Sequence, residues 1–364
     1  MYTRTSLLKQ QVEPCFNVFD GLLLIFGPLA VSRPADTYGT PRHPSTINTD
    51  ITCRIPAVEL GERVTMPSPA ELGFLPSDSC KIDRTVLRDP AQQDEFERRG
   101  YVVMPFLSSE QVQQLVSGYD SIAQSMGGAS KPEDYNDTYA EFSIIHSRPE
   151  FRRQAYSLIN SVLAPEADRV LMDYRPLIAN FVNKLPGTGI VPTHQNLSVV
   201  DESRYASVSV WVALVDCVLD NGAMSMLDGS HRSLRSRRGM WAYQAFGGIE
   251  QATLDELLTP VEVPAGHAVI LDDALVHYSP PNQTDHRRLA IQFVMVPQEV
   301  PSLWHQQVGT NEDGLDVQVW EIDERFFFEF WHGDGDERYG HKVDRITIPA
   351  VELRIEDLQT MLGS

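Results

Sequence analysis

The chain is poor in cysteine, and the four it has, Cys15, Cys53, Cys80 and Cys217, form neither a CxxC pair nor the spacing of a zinc site. That excludes a disulfide scaffold and reads as a set of reduced thiols in a cytoplasmic protein, with Cys217 a buried strand residue. Long apolar runs are missing as well. The one candidate targeting segment, Gly21 to Val31 in "DGLLLIFGPLAVS", falls well short of the roughly 20 residues that a membrane span needs. Basic Arg4 and Lys9 precede it, but so do Glu13 and Asp20, and no clean small-x-small cleavage site follows, so it does not read as a signal peptide either. Positive charge is scarce: 30 Lys and Arg stand against 50 Asp and Glu, a formal charge of -20. Nucleic acid and anionic membranes both require clustered positive charge, so neither is an expected partner. Internal repeats and low-complexity segments are absent, and a small molecule remains as the expected partner.

What is present is ordinary for a globular protein: 364 residues, 42% apolar and 22% charged, enough for a large core with an extension. Residues 1–85 are rich in proline and other breakers ("SRPADTYGTPRHPSTINTD", "MPSPAELGFLPSDS") and keep no period, which predicts an extended arm, or an overlong gene start with Met66 as a later candidate. After it, "DPAQQDEFERRG" reads as a short helix stopped by Gly100, and "YVVMPFL" as a strand. In "SSEQVQQLVSGYDSIAQSM", Ser108 and Gln111 form a capping box, and Val112, Leu115, Val116 and Tyr119 make one apolar stripe. A second helix is predicted from Pro149 to Ala164.

From residue 178 the texture changes to short apolar or alternating runs, "IANFVNK", "ASVSVWVAL", "GAMSML", "TPVEVP", "HAVIL" and "LAIQFVMV", separated by Gly, Pro and Asn. Many short strands with this punctuation predict an antiparallel sandwich or barrel, so the chain is mostly β with flanking helices. Near the end, "WEIDERFFFEFWHGDGDERYG" concentrates five aromatics between Phe326 and Trp331, a segment that packs on the core or lids a pocket.

The chemistry is carried by "VPTHQNLSVVDE". His194 precedes Asn196 by two positions, which on a strand puts both side chains on one face. His277 closes another apolar run in the same sheet-rich half. Two imidazoles and an oxygen donor on one face of an octahedron leave three positions open, the arrangement of mononuclear non-haem iron. The ordered set "NKLPGTG", "HQN", "VWVALVD", "NGAMSMLDGSH" and "AGHAVILDDALVHYSPPNQTDHRRLAI", opened by "FERRGYVVMPFLSSEQV", resembles the phytanoyl-CoA dioxygenase (PhyH-like) family of Fe(II)/2-oxoglutarate-dependent oxygenases over about residues 90–297.

That resemblance implies a double-stranded β-helix (jelly-roll, cupin-like) core in residues 86–300, with residues 301–364 as a C-terminal segment. It implies Fe(II) as the metal, 2-oxoglutarate as cosubstrate and dioxygen as the oxidant, with hydroxylation of a small organic molecule and release of succinate and CO2. Carried over by position, the metal ligands fall on His194, Asn196 and His277, and the cosubstrate arginine on Arg288, whose neighbour Arg287 points to the other face. Trp211, Asn180 and Ser279 fall where the family lines the 2-oxoglutarate pocket.

Asn196 departs from the family pattern, which has Asp there. Three readings follow: a working oxygenase with weaker iron binding, a halogenase in which a halide takes the vacant position, and a catalytically silent binding or partner protein. Asp201 or Glu202 as a substitute ligand is a further variant. Of the other histidines, His231, His267, His286, His305, His332 and His341 read as structural or loop residues, and "HRSLRSRR" at 231–238 is the one basic cluster suited to phosphates.

Overall fold

The computed structural model describes residues 68–76, 80, 82, 84–126, 139–239, 245–329, 337–350 and 352–363. Most of the expected N-terminal arm, with Cys15, Cys53 and the Gly21 to Val31 run, lies outside them, as do Phe330, Trp331 and His332.

Helix α1 (Pro90–Arg99) starts where the Asp89 side chain accepts from Gln92 N, and stops at Gly100. Gly100 adopts φ 88°, and a Cβ there would meet the His231 ring and Leu275, so both conformation and space demand glycine. Strand β1 (Tyr101–Pro105) follows, then α2 (Ser109–Ser125), whose capping box joins Ser108 and Gln111 in both directions. The short β2 (Glu141–Phe142) leads to α3 (Pro149–Val170). This helix outruns its predicted end at Ala164, because Pro165 does not stop it. An interior proline costs about 3 kcal/mol. Burial of Ile159, Val162, Leu163 and Ala167 on the same helix offsets that cost.

The strands that follow are β3 (Tyr174–Lys184), β4 (Val191–His194), β5 (Val208–Ala213), β6 (Met224–Met226), β7 (Thr259–Val261), β8 (His267–Asp272), β9 (His277–Ser279) and β10 (Arg288–Pro297). They form two antiparallel sheets, one ordered β1-β8-β5-β10-β3-β2 and one ordered β4-β9-β6-β7. This is a mostly β jelly roll with flanking helices. The long sheet's outer face, with Phe181, Ile291 and Phe293, packs under the helices. Its inner face and the short sheet enclose Trp211, Met224, Met226, Val269 and Leu271.

Three further strands, β11 (Ser302–Asn311), β12 (Gly314–Ile322) and β13 (Gly340–Ile348), make a sheet of their own. Phe326 and Phe327 join Trp304 and Trp320 in a cluster that also holds Leu177, Val199 and Val200. These aromatics are core. His305, expected in a polar loop, is instead buried on β11 beside Ser198.

Candidate metal and anion site

Strand β4 lies at the edge of the short sheet, where Pro192 interrupts no ladder. The register slips between Val191 and His194, and His194 arrives directly opposite His277 of β9. Their rings are 4.2 Å apart, and both side chains are buried. Each Nδ1 donates to a backbone carbonyl two residues earlier, His194 to Pro192 O at 2.7 Å and His277 to Leu275 O at 2.9 Å. This selects the tautomer whose lone pair is on Nε2, the metal-binding form. Burial holds His277 down to about 4 and, together with the neighbouring His277, pushes His194 well below its ordinary value, so both rings are neutral.

Asn196 lies just beyond the end of β4, not within it, yet its side chain reaches the His194 ring. Its Nδ2 donates to Ser209 Oγ (3.1 Å) and to Asp273 Oδ1 (2.9 Å). An amide nitrogen has two hydrogens. With both directed away, Oδ1 is the atom turned to His194, and it accepts from Gln292 Nε2 at 3.3 Å. Among the described residues no group of three or more His, Cys, Asp or Glu side chains could hold a metal. Two imidazoles and an amide oxygen are the donor atoms brought together at this point, an uncharged set of a type that suits a divalent transition metal.

The substitute carboxylates are excluded by their partners. Glu202 is buried in a two-pronged ion pair with Arg238, and Asp201 accepts from Ser203. Within the 231–238 cluster, Arg235 is buried on Asp272 and Arg238 on Glu202, which leaves Arg232 and Arg237 as its exposed arginines. Burial drives His231 down to about 4, and it packs against Phe96.

On the long sheet, Arg288 pairs with Lys184, and Gln292 lies between Asn180 and Trp211. Residues directly opposite share a face, so all five point inward with Ser209. Arg287 turns outward to Asp120. The Arg288 guanidinium lies 5.3 Å from the centre of the Trp211 ring and donates to Gly222 O, while its Nε has no partner. Lys184 Nζ donates to Ser279 Oγ at 2.6 Å and to the carbonyls of Ser279 and Pro280. Among the described residues neither cation has a carboxylate partner. Burial, and for Lys184 also the charge of Arg288, lowers the pKa of both. Ser279 stands two residues from His277, about 7 Å along a strand. Asn180 Oδ1 accepts from Ser143 Oγ and Ile144 N, fastening the turn before α3 to the sheet.

Lys184, Gln292, Ser209 and Asp273 were not singled out in the sequence. The signals were a lysine ending an apolar strand and the doubled acid in "AVILDDALVH".

The antiparallel jelly roll thus carries a buried, facing histidine pair and two buried cations that have no carboxylate partner among the described residues. A family model, phytanoyl-CoA dioxygenase (PhyH), matches residues 96–290, and the chain belongs to that family. It is 32% identical over 127 residues to phytanoyl-CoA dioxygenase domain-containing protein 1 of Danio rerio, covering 33% of this chain and 44% of that protein. The chain thus matches less than half the length of that relative. Against the phytanoyl-CoA dioxygenase of Arabidopsis thaliana it is 23% identical over 57% of its own length and 88% of the other's. Among solved structures, HygX from Streptomyces hygroscopicus, with nickel and 2-oxoglutarate bound, superposes with a TM-score of 0.43 at 19% identity, over 58% of this chain and 88% of that one. No helix among the described residues is long and apolar enough to cross a membrane.

Proposed function

We propose that this protein is an Fe(II)/2-oxoglutarate-dependent oxygenase that hydroxylates a small organic molecule. The observation that carries the reading is the pair of buried cations, Arg288 and Lys184, which have no carboxylate partner among the described residues, with Lys184 bonded to Ser279 two residues from one of two facing, neutral histidines. Unpaired buried charge is costly. A dianion with a distal carboxylate at Arg288 and its reacting end toward His277 relieves that cost.

His194, His277 and the Asn196 amide oxygen would hold the metal, and Arg288, Lys184 and Ser279 the far carboxylate of 2-oxoglutarate. Bound together, metal and cosubstrate supply an oxidation in which substrate, dioxygen and 2-oxoglutarate give hydroxylated substrate, succinate and CO2. The chain's own residues bind, orient and exclude water. Arg288 presents a planar fork to a carboxylate, and Trp211 covers its flank. The backbone carbonyls of Pro192 and Leu275 keep both imidazoles in the ligating tautomer. Asn180 braces the turn at 143–145 beside the sheet. A cytoplasmic setting suits the two buried free thiols, Cys80 and Cys217.

The neutral Asn196 favours one second reading, a silent relative that binds the cosubstrate or a partner without turnover. The halogenase reading is weaker, since the Asn196 side chain fills the space a halide would take. Anaerobic addition of Fe(II) and 2-oxoglutarate tests the proposal. The expected result is the weak visible charge-transfer band of the chelate, lost in His277→Ala, followed by succinate release when substrates are screened. Cosubstrate binding with no band and no succinate selects the silent reading.

A further inference from the structure

A donor set of two imidazoles and an amide brings no negative charge to a divalent cation. The structure holds that charge one residue further out. Among the described residues four acidic side chains are buried: Glu202, Asp272, Asp273 and Asp357. Three are paired with arginines, Glu202 with Arg238, Asp272 with Arg235 and Asp357 with Arg354. Asp273 alone has no ion pair among the described residues. Arg238 passes close by, but donates to its backbone carbonyl at 3.2 Å and leaves the carboxylate alone. What Asp273 does have is the Asn196 amide: Oδ1 accepts from Asn196 Nδ2 at 2.9 Å and from Ser209 Oγ at 2.6 Å, while Oδ2 has no partner.

We propose that Asp273 is a positioning residue that makes Asn196 a metal ligand, fixing its amide and lending it negative charge. This rests on the metal-centre reading above. The physical basis is twofold. A carboxylate accepts and never donates when ionised, so it can hold only the NH2 end of the amide, and the oxygen must face the histidines. A charge-assisted hydrogen bond to Nδ2 also draws the amide toward its charge-separated form, which concentrates negative charge on Oδ1. Gln292 occupies one lone pair of that oxygen and leaves the other for a metal.

Substitution of Asn196 alone then has an unusual consequence. Asn196→Asp sets two buried carboxylates side by side with the single Ser209 hydroxyl to serve both. It does not repair the site. The exchange Asn196→Asp with Asp273→Asn keeps one acid and one amide, the same hydrogen bond with its direction reversed, and the same net charge.

The test is the affinity of the full-chain apoprotein for Mn(II) alone, read from the EPR signal of the free ion, with thermal melting as a check on folding. Asp273→Asn retains shape and removes charge, and is expected to weaken Mn(II) about tenfold to a hundredfold, the usual cost of losing an outer-shell partner. Asn196→Asp is expected to melt earlier than wild type. The double exchange is expected to regain wild-type melting and to bind Mn(II) at least as tightly as wild type, a rescue that a merely structural Asp273 would not give. His277-dependent Mn(II) binding that is indifferent to Asp273→Asn, or an exchange no better than Asn196→Asp, overturns the proposal alone. Binding that survives His277→Ala overturns the metal centre together with it.

Discussion

His194 and His277 stand opposite each other across β4 and β9, with each Nδ1 tied to a carbonyl two residues back along the chain. The two rings are held by backbone, so removing one leaves the other in place. Wild type is expected to melt higher with added Mn(II), and His277→Ala is expected to keep the fold while losing that shift. Differential scanning fluorimetry with and without the metal measures this.

Arg288 is buried, and among the described residues no carboxylate neutralises it. Replacing a buried, unpaired charge with an apolar chain of similar volume is often neutral or stabilising. Arg288→Met is expected to leave the melting temperature of the ligand-free protein unchanged or raised. Its affinity for 2-oxoglutarate should fall about tenfold to a hundredfold, matching the roughly 1.5–3 kcal/mol of a charged hydrogen bond. Calorimetric titration of 2-oxoglutarate separates the two effects.

Lys184 titrates well below its ordinary value because burial and Arg288 both disfavour its charged form. An arriving carboxylate favours that form and raises the pKa again. Binding of 2-oxoglutarate should thus take up protons over the pH range between the free and bound values, and affinity should fall as pH rises through it. The apparent binding enthalpy in buffers of different ionisation enthalpy reports the uptake, and Lys184→Met should abolish it.

Arg238 joins Glu202, the backbone carbonyl of Asn196 at 2.8 Å and that of Asp273. Arg238→Met strands a buried carboxylate and is expected to cost about 3–5 kcal/mol in urea denaturation. Adding Glu202→Gln should recover part of this. The same pair of variants should show whether the Asn196 loop needs this tether for Mn(II) affinity.

Much of this was readable before any coordinates. The Ser108 and Gln111 capping box, the stop at Gly100 and the strands carrying Trp211 and Arg288 follow from local chemistry and period, whereas His277 begins the separate strand β9 instead of ending one, and β4 stops before Asn196. What escaped were features set by distant partners. Pro165 reads as a helix end because its packing cannot be seen locally, and β11–β13 carry a mixed pattern whose burial depends on the sheet they join. Arg235 and Arg238 look like a basic surface until Asp272 and Glu202 are brought beside them. The meaning of Asn196 is likewise invisible without Asp273, which lies 77 residues further along the chain.

The loop after Asn196 is fastened from far downstream. Leu303 N donates to Val199 O at 2.8 Å, and His305 meets Ser198 across 107 residues of sequence. During synthesis both histidines of the pair emerge well before that clasp. The Asn196 loop thus has its Arg238 tether in the chain before its downstream clasp, and residues 303–305 are the last of its supports to be made.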